Sequence, residues 1–264
     1  MSKGVIFSLI CLTLCAMSNF GTSINAESDA KLKVAVLTHM QSVSENCLQA
    51  TLKILNANGI SAKAIPGRLI RNGALKDYDI IMLPGGSGSG QARALGEDGC
   101  AAVEEFVRNG GGFIGTCAGG YLAAKGYSVT GDDTSASSWL ELVNAEIVDA
   151  DHWNRGQGKV EIKILDSTHP ILEGFSGTFE AQYVNGPLFK PGNDPKLSPY
   201  QELAVFKSDM HSSGGAAAGV MPGTPALLTS TYGEGRCVLF SYHPELTPGL
   251  EMMLVQAVRW VKGL

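Results

Sequence analysis

Residues Asn109 to Ala124 read NGGGFIGTCAGGYLAA. A short apolar run ends at a cysteine with a glycine two positions away on each side, and a helix-forming run follows at once. A buried strand, a tight turn and a helix start suit all three pieces; a buried structural cysteine in a tight turn is the alternative reading of Cys117. The rest of the first half repeats that rhythm. KLKVAVLTH (Lys31–His39) reads as a buried strand, and SENCLQATLKILNANG follows with helical spacing at Cys47, Leu48, Leu52 and Leu55. Ser44 is a candidate cap for that helix and Gly59 its stop. SAKAIPG is a second strand and YDIIMLPGG (Tyr78–Gly86) a third. EDGCAAVEEFVRNGG is a helix with Val103, Phe106 and Val107 on one face, and GFIGTC is a fourth strand. Strands without a polar face, alternating with helices, predict a parallel sheet covered on both sides.

After Ala124 the rhythm changes. AEIVDA, GKVEIKIL, TFEAQYVNG, ELAVF, GGAAAGVM and ALLTSTYG read as strand-like pieces joined by turns, fit for antiparallel additions to the same sheet. GRCVLFSYHPE is one more buried strand, and LEMMLVQAVRWVKGL closes as an amphipathic helix. No repeat or low-complexity linker divides the chain, so one mixed α/β domain over residues 27–264 is expected.

Residues 1–26 stand apart. Lys3, the apolar run GVIFSLICLTLCAM and a polar segment ending at Ala26 form a signal-peptide pattern. Cleavage after Ala26 predicts an exported protein, periplasmic or secreted, with no stable membrane span in the mature chain. The formal net charge is −5 and no Lys/Arg cluster exceeds RLIR, which argues against a nucleic-acid partner. Cys11 and Cys15 leave with the leader. Cys47, Cys100, Cys117 and Cys237 remain, at spacings that match no zinc pattern. Cys47 and Cys237 lie in helix-like and strand-like runs, where a free cysteine behaves as a small apolar residue. No pair of histidines has ligand spacing, so neither a metal nor another cofactor is expected.

Strand, glycine turn and helix make the layout of a nucleophile elbow, with Cys117 where serine is more usual. Backbone strain at the central residue pushes its side chain out at the sheet's C-terminal edge, and larger neighbours than glycine would collide there. The unpaired N–H groups of the following helix favour a thiolate. A thiolate attacking a carbonyl needs an oxyanion site, and the glycines of LPGGSGSG leave backbone N–H groups uncovered; Gly86 and Ala118 are the candidates. The run is neither a P-loop nor G-x-G-x-x-G. A proton shuttle is offered by His243, which ends the last strand in FSYHPEL, with Glu245 close enough to orient its ring.

These motifs resemble class I glutamine amidotransferase-like domains. LPGG, GTCAGGYLAA and HPE look like the family's oxyanion strand, nucleophile elbow and His–Glu pair. The likeness is strongest to the branch found at the N-terminus of eukaryotic biotin–protein ligases and as stand-alone bacterial proteins. It extends to DHWNRGQG, YVNGPL and YGEGRCVLFSYHPE. The resemblance implies a flavodoxin-like three-layer αβα sandwich, mostly parallel with antiparallel additions, with Cys117 as nucleophile, His243 as general base and acid, Glu245 as its partner, and Gly86 and Ala118 as oxyanion donors. Glutamine-using members carry C-x-G-x-Q; here the run is C-A-G-G-Y, with Tyr121 in the glutamine position. No synthase or ligase domain is expected from this sequence, so the resemblance does not imply biotin ligation.

Three functions follow in order. The first is an exported cysteine hydrolase acting on an amide, peptide or related carbonyl, with Gly85, Tyr121, Trp153, Arg155, Tyr183 and Asn185 as substrate-binding candidates. For the last four, packing and turn chemistry weigh equally. The second is a non-catalytic module holding a ligand or partner in the same pocket. The third is a glutaminase.

Overall fold

The computed structural model describes residues 32–125, 140–148, 154–212 and 216–264, together with Met1. β1 (Lys33–Thr38), β2 (Ser61–Pro66), β3 (Ile80–Leu83) and β4 (Gly112–Thr116) alternate with helices. α1 (Glu45–Ala57) follows β1, α2 (Gly67–Arg71) follows β2, α3 (Gly88–Arg108) links β3 to β4, and α4 (Ala118–Ala123) leaves the elbow. Ser44 caps α1 by accepting from the N–H of Cys47, and Gly59 leaves it in a left-handed conformation at φ 81°. β5 (Ala145–Ile147) pairs with β8 (Phe189–Pro191) as a small separate ribbon. β6 (Gln157–Ile164), β7 (Thr178–Val184), β9 (Gln201–Phe206), β10 (Pro225–Tyr232) and β11 (Gly235–Phe240) extend the main sheet, and α5 (Glu251–Val261) closes the chain.

The main sheet has nine strands in the order β2-β1-β3-β4-β11-β10-β9-β6-β7. Its first five strands are parallel neighbours and the remaining pairs are antiparallel. The connection from β1 runs outward to β2, whereas that from β3 runs the opposite way to β4. Right-handed crossovers then put α1 and α3 on opposite faces, which makes the sandwich. α1 touches α5, while α3 touches α2 and α4. All four residues of β3 and all five of β4 are buried, as strands covered on both faces must be.

Several elements differ from the sequence reading, β8 among them, which it did not contain. α3 begins at Gly88 rather than near Glu97, because Ser87 caps its first turn; a kink at Gly96, φ 67°, marks where the predicted helix starts. GRLIR, between β2 and β3, is the short helix α2. The described part of GGAAAGVM, Ala216 to Met221, is loop and turn rather than strand, and residues 213–215 lie outside the described part. The leader, residues 1–26, lies outside it too, apart from Met1. Among the described residues no helix is long and apolar enough to cross a membrane.

Candidate functional site

Three neighbouring strand ends build the site. β4 lies between β3 and β11, parallel to both, so Gly85–Gly86, Cys117 and His243 leave the sheet at one edge. That edge flanks the point where the crossover direction reverses, which is where open α/β sheets leave a crevice.

Cys117 has φ 49° and ψ −101°, an unfavourable conformation for a side-chain-bearing residue. Its N–H donates to Phe240 O of β11 at 2.8 Å, which ties the bend to the strand carrying His243. The helix after it sits hard against β3. A methyl group at Gly119 would lie 2.2 Å from Leu83 O, so the elbow closes only with glycine there. α4 has six residues, so the aligned-dipole contribution is small and its first backbone N–H groups are what it offers an anion.

His243 is 3 % exposed and Glu245 5 %. Nδ1 of His243 lies 2.8 Å from Glu245 Oε1 and 3.6 Å from Cys47 Sγ. Burial alone would lower the pKa of this imidazole. The charges of Glu245 and Cys117 and the hydrogen bonds to Cys117 and Cys47 outweigh it and hold the ring well above the usual histidine range. His243 and Glu245 meet at this rim, and Cys117 follows β4, the parallel neighbour of the strand that leads to His243, although the sulfur and the imidazole are far apart along the chain.

Gly86 faces Val43 in an antiparallel bridge held by Ser44 N–H to Gly85 O, 2.9 Å, and Ser87 N–H to Ser42 O, 2.8 Å. In that pairing the Gly86 N–H points away from Val43. Gly86 has φ 148°, and a methyl group on it would lie 2.2 Å from Ser42 O. Ala118 is the first residue of α4, so its N–H has no intrahelical acceptor.

β7, last in the strand order, returns to this rim. Gln182 O accepts the His243 N–H at 2.9 Å, and Val184 O accepts from Cys117 Sγ at 3.3 Å. The YVNGPL run explains itself here. Asn185 sits at φ 48°, its O accepting from Tyr121 Oη at 2.9 Å and its Oδ1 from the Gly156 N–H at 2.6 Å. Gly186 packs so closely on the HPE segment that a methyl group would lie 1.8 Å from Ser241 O, and Ser241 Oγ donates to Pro187 O.

The substrate-binding candidates divide. Gly85 and Tyr121 lie at the rim. A methyl group on Gly85 would lie 2.5 Å from His243 Cε1, and Tyr121 is tied to Asn185. Tyr183 is fully buried, its hydroxyl donating to Gly186 O at 2.7 Å, and its ring packs on Phe206; this side chain braces the loop. Arg155 is 1 % exposed and donates to Met210 O and Ala217 O, so it pins the loop before β10. Trp153 and His152 lie outside the described residues. His39 pairs with Ser42 Oγ, His169 caps a short turn, and His211 pairs with Asp209.

Cys47 is the residue that sequence reasoning did not place at the site. It is 2 % exposed, as a small apolar residue would be, but its sulfur faces His243. The available signal was its place in the first turn of the helix after β1, at the same sheet edge. Cys47, His243 and Glu245 bring one sulfur, one nitrogen and one carboxylate oxygen within 4.8 Å of one another. The four described cysteines are all free thiols and all buried.

The architecture is similar to that of glutamine amidotransferases. The family model described as "Biotin-protein ligase, N terminal" matches residues 34–137. Among curated relatives, the pyridoxal 5′-phosphate synthase subunit PdxT of Pasteurella multocida is 27% identical over 225 residues, covering 84% of this chain and 93% of its own. PdxT of Archaeoglobus fulgidus is 27% identical over 177 residues, covering 66% and 83%. A crystal structure of a glutamine amidotransferase superposes with a TM-score of 0.58 at 17% identity, covering 88% of this chain and 99% of the other. PurLQS from Thermotoga maritima gives 0.58 at 15%, covering 86% and 97%. At such identities the structural likeness speaks for the fold alone.

Proposed function

We propose that this protein is a cysteine-nucleophile hydrolase of amidohydrolase type, acting on an amide, peptide or related carbonyl. The observation that carries the reading is the strained Cys117 at the same sheet edge as His243, whose Nδ1 lies 2.8 Å from Glu245 Oε1. Glu245 orients the imidazole and stabilises its charged form; His243 takes the thiol proton. The Cys117 thiolate attacks the carbonyl carbon, and the developing oxyanion meets the N–H groups of Gly86 and Ala118. His243 then protonates the leaving amine, and water attacks the thioester with His243 as base. The acid is released and the thiol restored.

Two features set the reading apart from a glutaminase. Tyr121 occupies the position where glutamine-using members carry glutamine, and its hydroxyl is engaged with Asn185 O. A leader ending at Ala26 would export the chain, which N-terminal sequencing of the mature protein tests. A second reading, a ligand-holding module, is favoured by one observation: Cys117 is 5 % exposed and its thiol is directed at Val184 O.

Iodoacetamide labelling with peptide mapping separates the two. A hydrolase site alkylates Cys117 well above the rate of a model thiol and loses about a hundredfold of that rate in His243→Ala. A slow rate that is the same in wild type and His243→Ala would leave only the binding module. Release of ammonia from free glutamine would restore the glutaminase.

A further inference from the structure

Cys47 takes no part in the proposed reaction, and one oxygen of Glu245 has no hydrogen-bond partner. Cys47 Sγ and the Glu245 carboxylate both lie against Nδ1 of His243. Glu245 Oε1 meets Nδ1, but Oε2 is buried and unpaired, on a side chain with no exposed surface. An orphaned carboxylate oxygen costs free energy wherever it is shut away from water. The third group in reach is a thiol, 3.6 Å from Nδ1.

The geometry points to a buried site for a thiophilic divalent cation, Zn²⁺, held by Cys47 Sγ, His243 Nδ1 and the Glu245 carboxylate. A tetrahedral zinc with sulfur at about 2.3 Å and nitrogen at about 2.05 Å sets those two donors about 3.5 Å apart. The observed separation is 3.6 Å. The carboxylate needs to open from 2.8 Å to about 3.3 Å from Nδ1. All three donors lie within 4.8 Å of one another. Thiolate, neutral imidazole and carboxylate around Zn²⁺ sum to zero charge, which suits a site as buried as this one. Three protein ligands leave one tetrahedral position for water.

Binding releases the Cys47 thiol proton to solvent; a neutral His243 shifts its hydrogen from Nδ1 to Nε2 and a charged one loses the Nδ1 proton, so both bonds to zinc form with the lone pairs left behind. His243 then carries one hydrogen, on Nε2. A ring with one nitrogen on the metal and the other protonated has no lone pair to receive the Cys117 proton. If the proposed hydrolase reading holds, zinc therefore switches the enzyme off by occupying its base from behind. This regulatory consequence rests on that reading; the metal site does not.

Cobalt(II) is the probe for the site. Reduced, chelator-treated full-length protein titrated with Co²⁺ should develop a thiolate-to-cobalt band in the near ultraviolet at one equivalent, and Zn²⁺ should erase it. Cys47→Ser should abolish the band and weaken zinc binding about a hundredfold or more, since loss of outer-shell partners alone costs 10–100-fold. Cys117→Ala should retain both. Should Cys47→Ser fail to fold, Glu245→Gln keeps the sulfur and should still weaken zinc binding. No thiolate band, or one that disappears with Cys117 instead of Cys47, overturns the site. Zinc should also slow alkylation of Cys117 in the wild type about tenfold or more. A Cys117 inert with and without metal, beside an intact cobalt band, removes the hydrolase and leaves the metal site. A reactive Cys117 without the band does the reverse.

Discussion

Cys117 holds a backbone conformation that costs on the order of 1–3 kcal/mol and persists only where its surroundings over-determine it. The surroundings are specific. Its N–H is fixed on Phe240 O, and Gly119 lets the next turn of helix lie against Leu83 O. Gly119→Ala forces a methyl group to 2.2 Å from that carbonyl oxygen, so α4 must move. We expect a loss of about 1–3 kcal/mol in urea unfolding together with slower alkylation of Cys117. Gly186→Ala makes the same demand from the other side of the rim, against Ser241 O, and should slow Cys117 alkylation by displacing Val184 O and the start of the HPE segment. If either variant keeps wild-type stability and labelling, the close-packed rim is not what holds the thiol. The elbow was legible because its glycines lie beside its cysteine in the chain. Cys47 was not, because its meaning comes only from a histidine nearly two hundred residues away.

Among the elements, the turn at Pro170–Leu172 links burial to pH. His169 precedes it and caps it, accepting from the Ile171 N–H at 3.3 Å. Its ring lies 5.1 Å from that of Trp260 on α5. Burial lowers its pKa below the ordinary value, against a smaller opposing pull from Asp166. The folded state thus prefers the neutral ring. Stability from this group is full above the unfolded pKa of about 6.5 and falls as pH drops through the folded value, because the unfolded chain takes up the proton first. Tm should decline between pH 7.5 and pH 5, and less steeply in His169→Asn, which keeps a capping acceptor; equal slopes would refute the account. In β3, every side chain of IIML is fully buried, so Ile81→Ala should cost about 2–5 kcal/mol in urea unfolding. Strands of this kind were readable, since burial on both faces leaves no polar residue in the run. GGAAAGVM was misread because small apolar residues suit a turn as well as a strand, and α3 was read short because its first turn is glycine-rich.

Across the whole molecule the thiols report how the sheet sorts its residues. Cys237 is wholly buried in β11 and its thiol is pushed far up by desolvation. Cys100, on α3, is pushed up to about 11 by burial and the nearby Glu104. In native protein at pH 8 both should alkylate much more slowly than Cys117, and readily in urea; labelling of Cys237 in the folded protein would contradict the buried β11. The sequence by itself determined the alternating architecture, the elbow and the His–Glu pair, because each is a short-range pattern in which neighbouring residues impose the geometry. Tertiary structure alone decided which strand ends lie side by side. Strand order put β11 against β4, turned β7 back over Cys117, and brought Cys47 behind His243. Those contacts join residues whose separation along the chain carries no information about their distance in space.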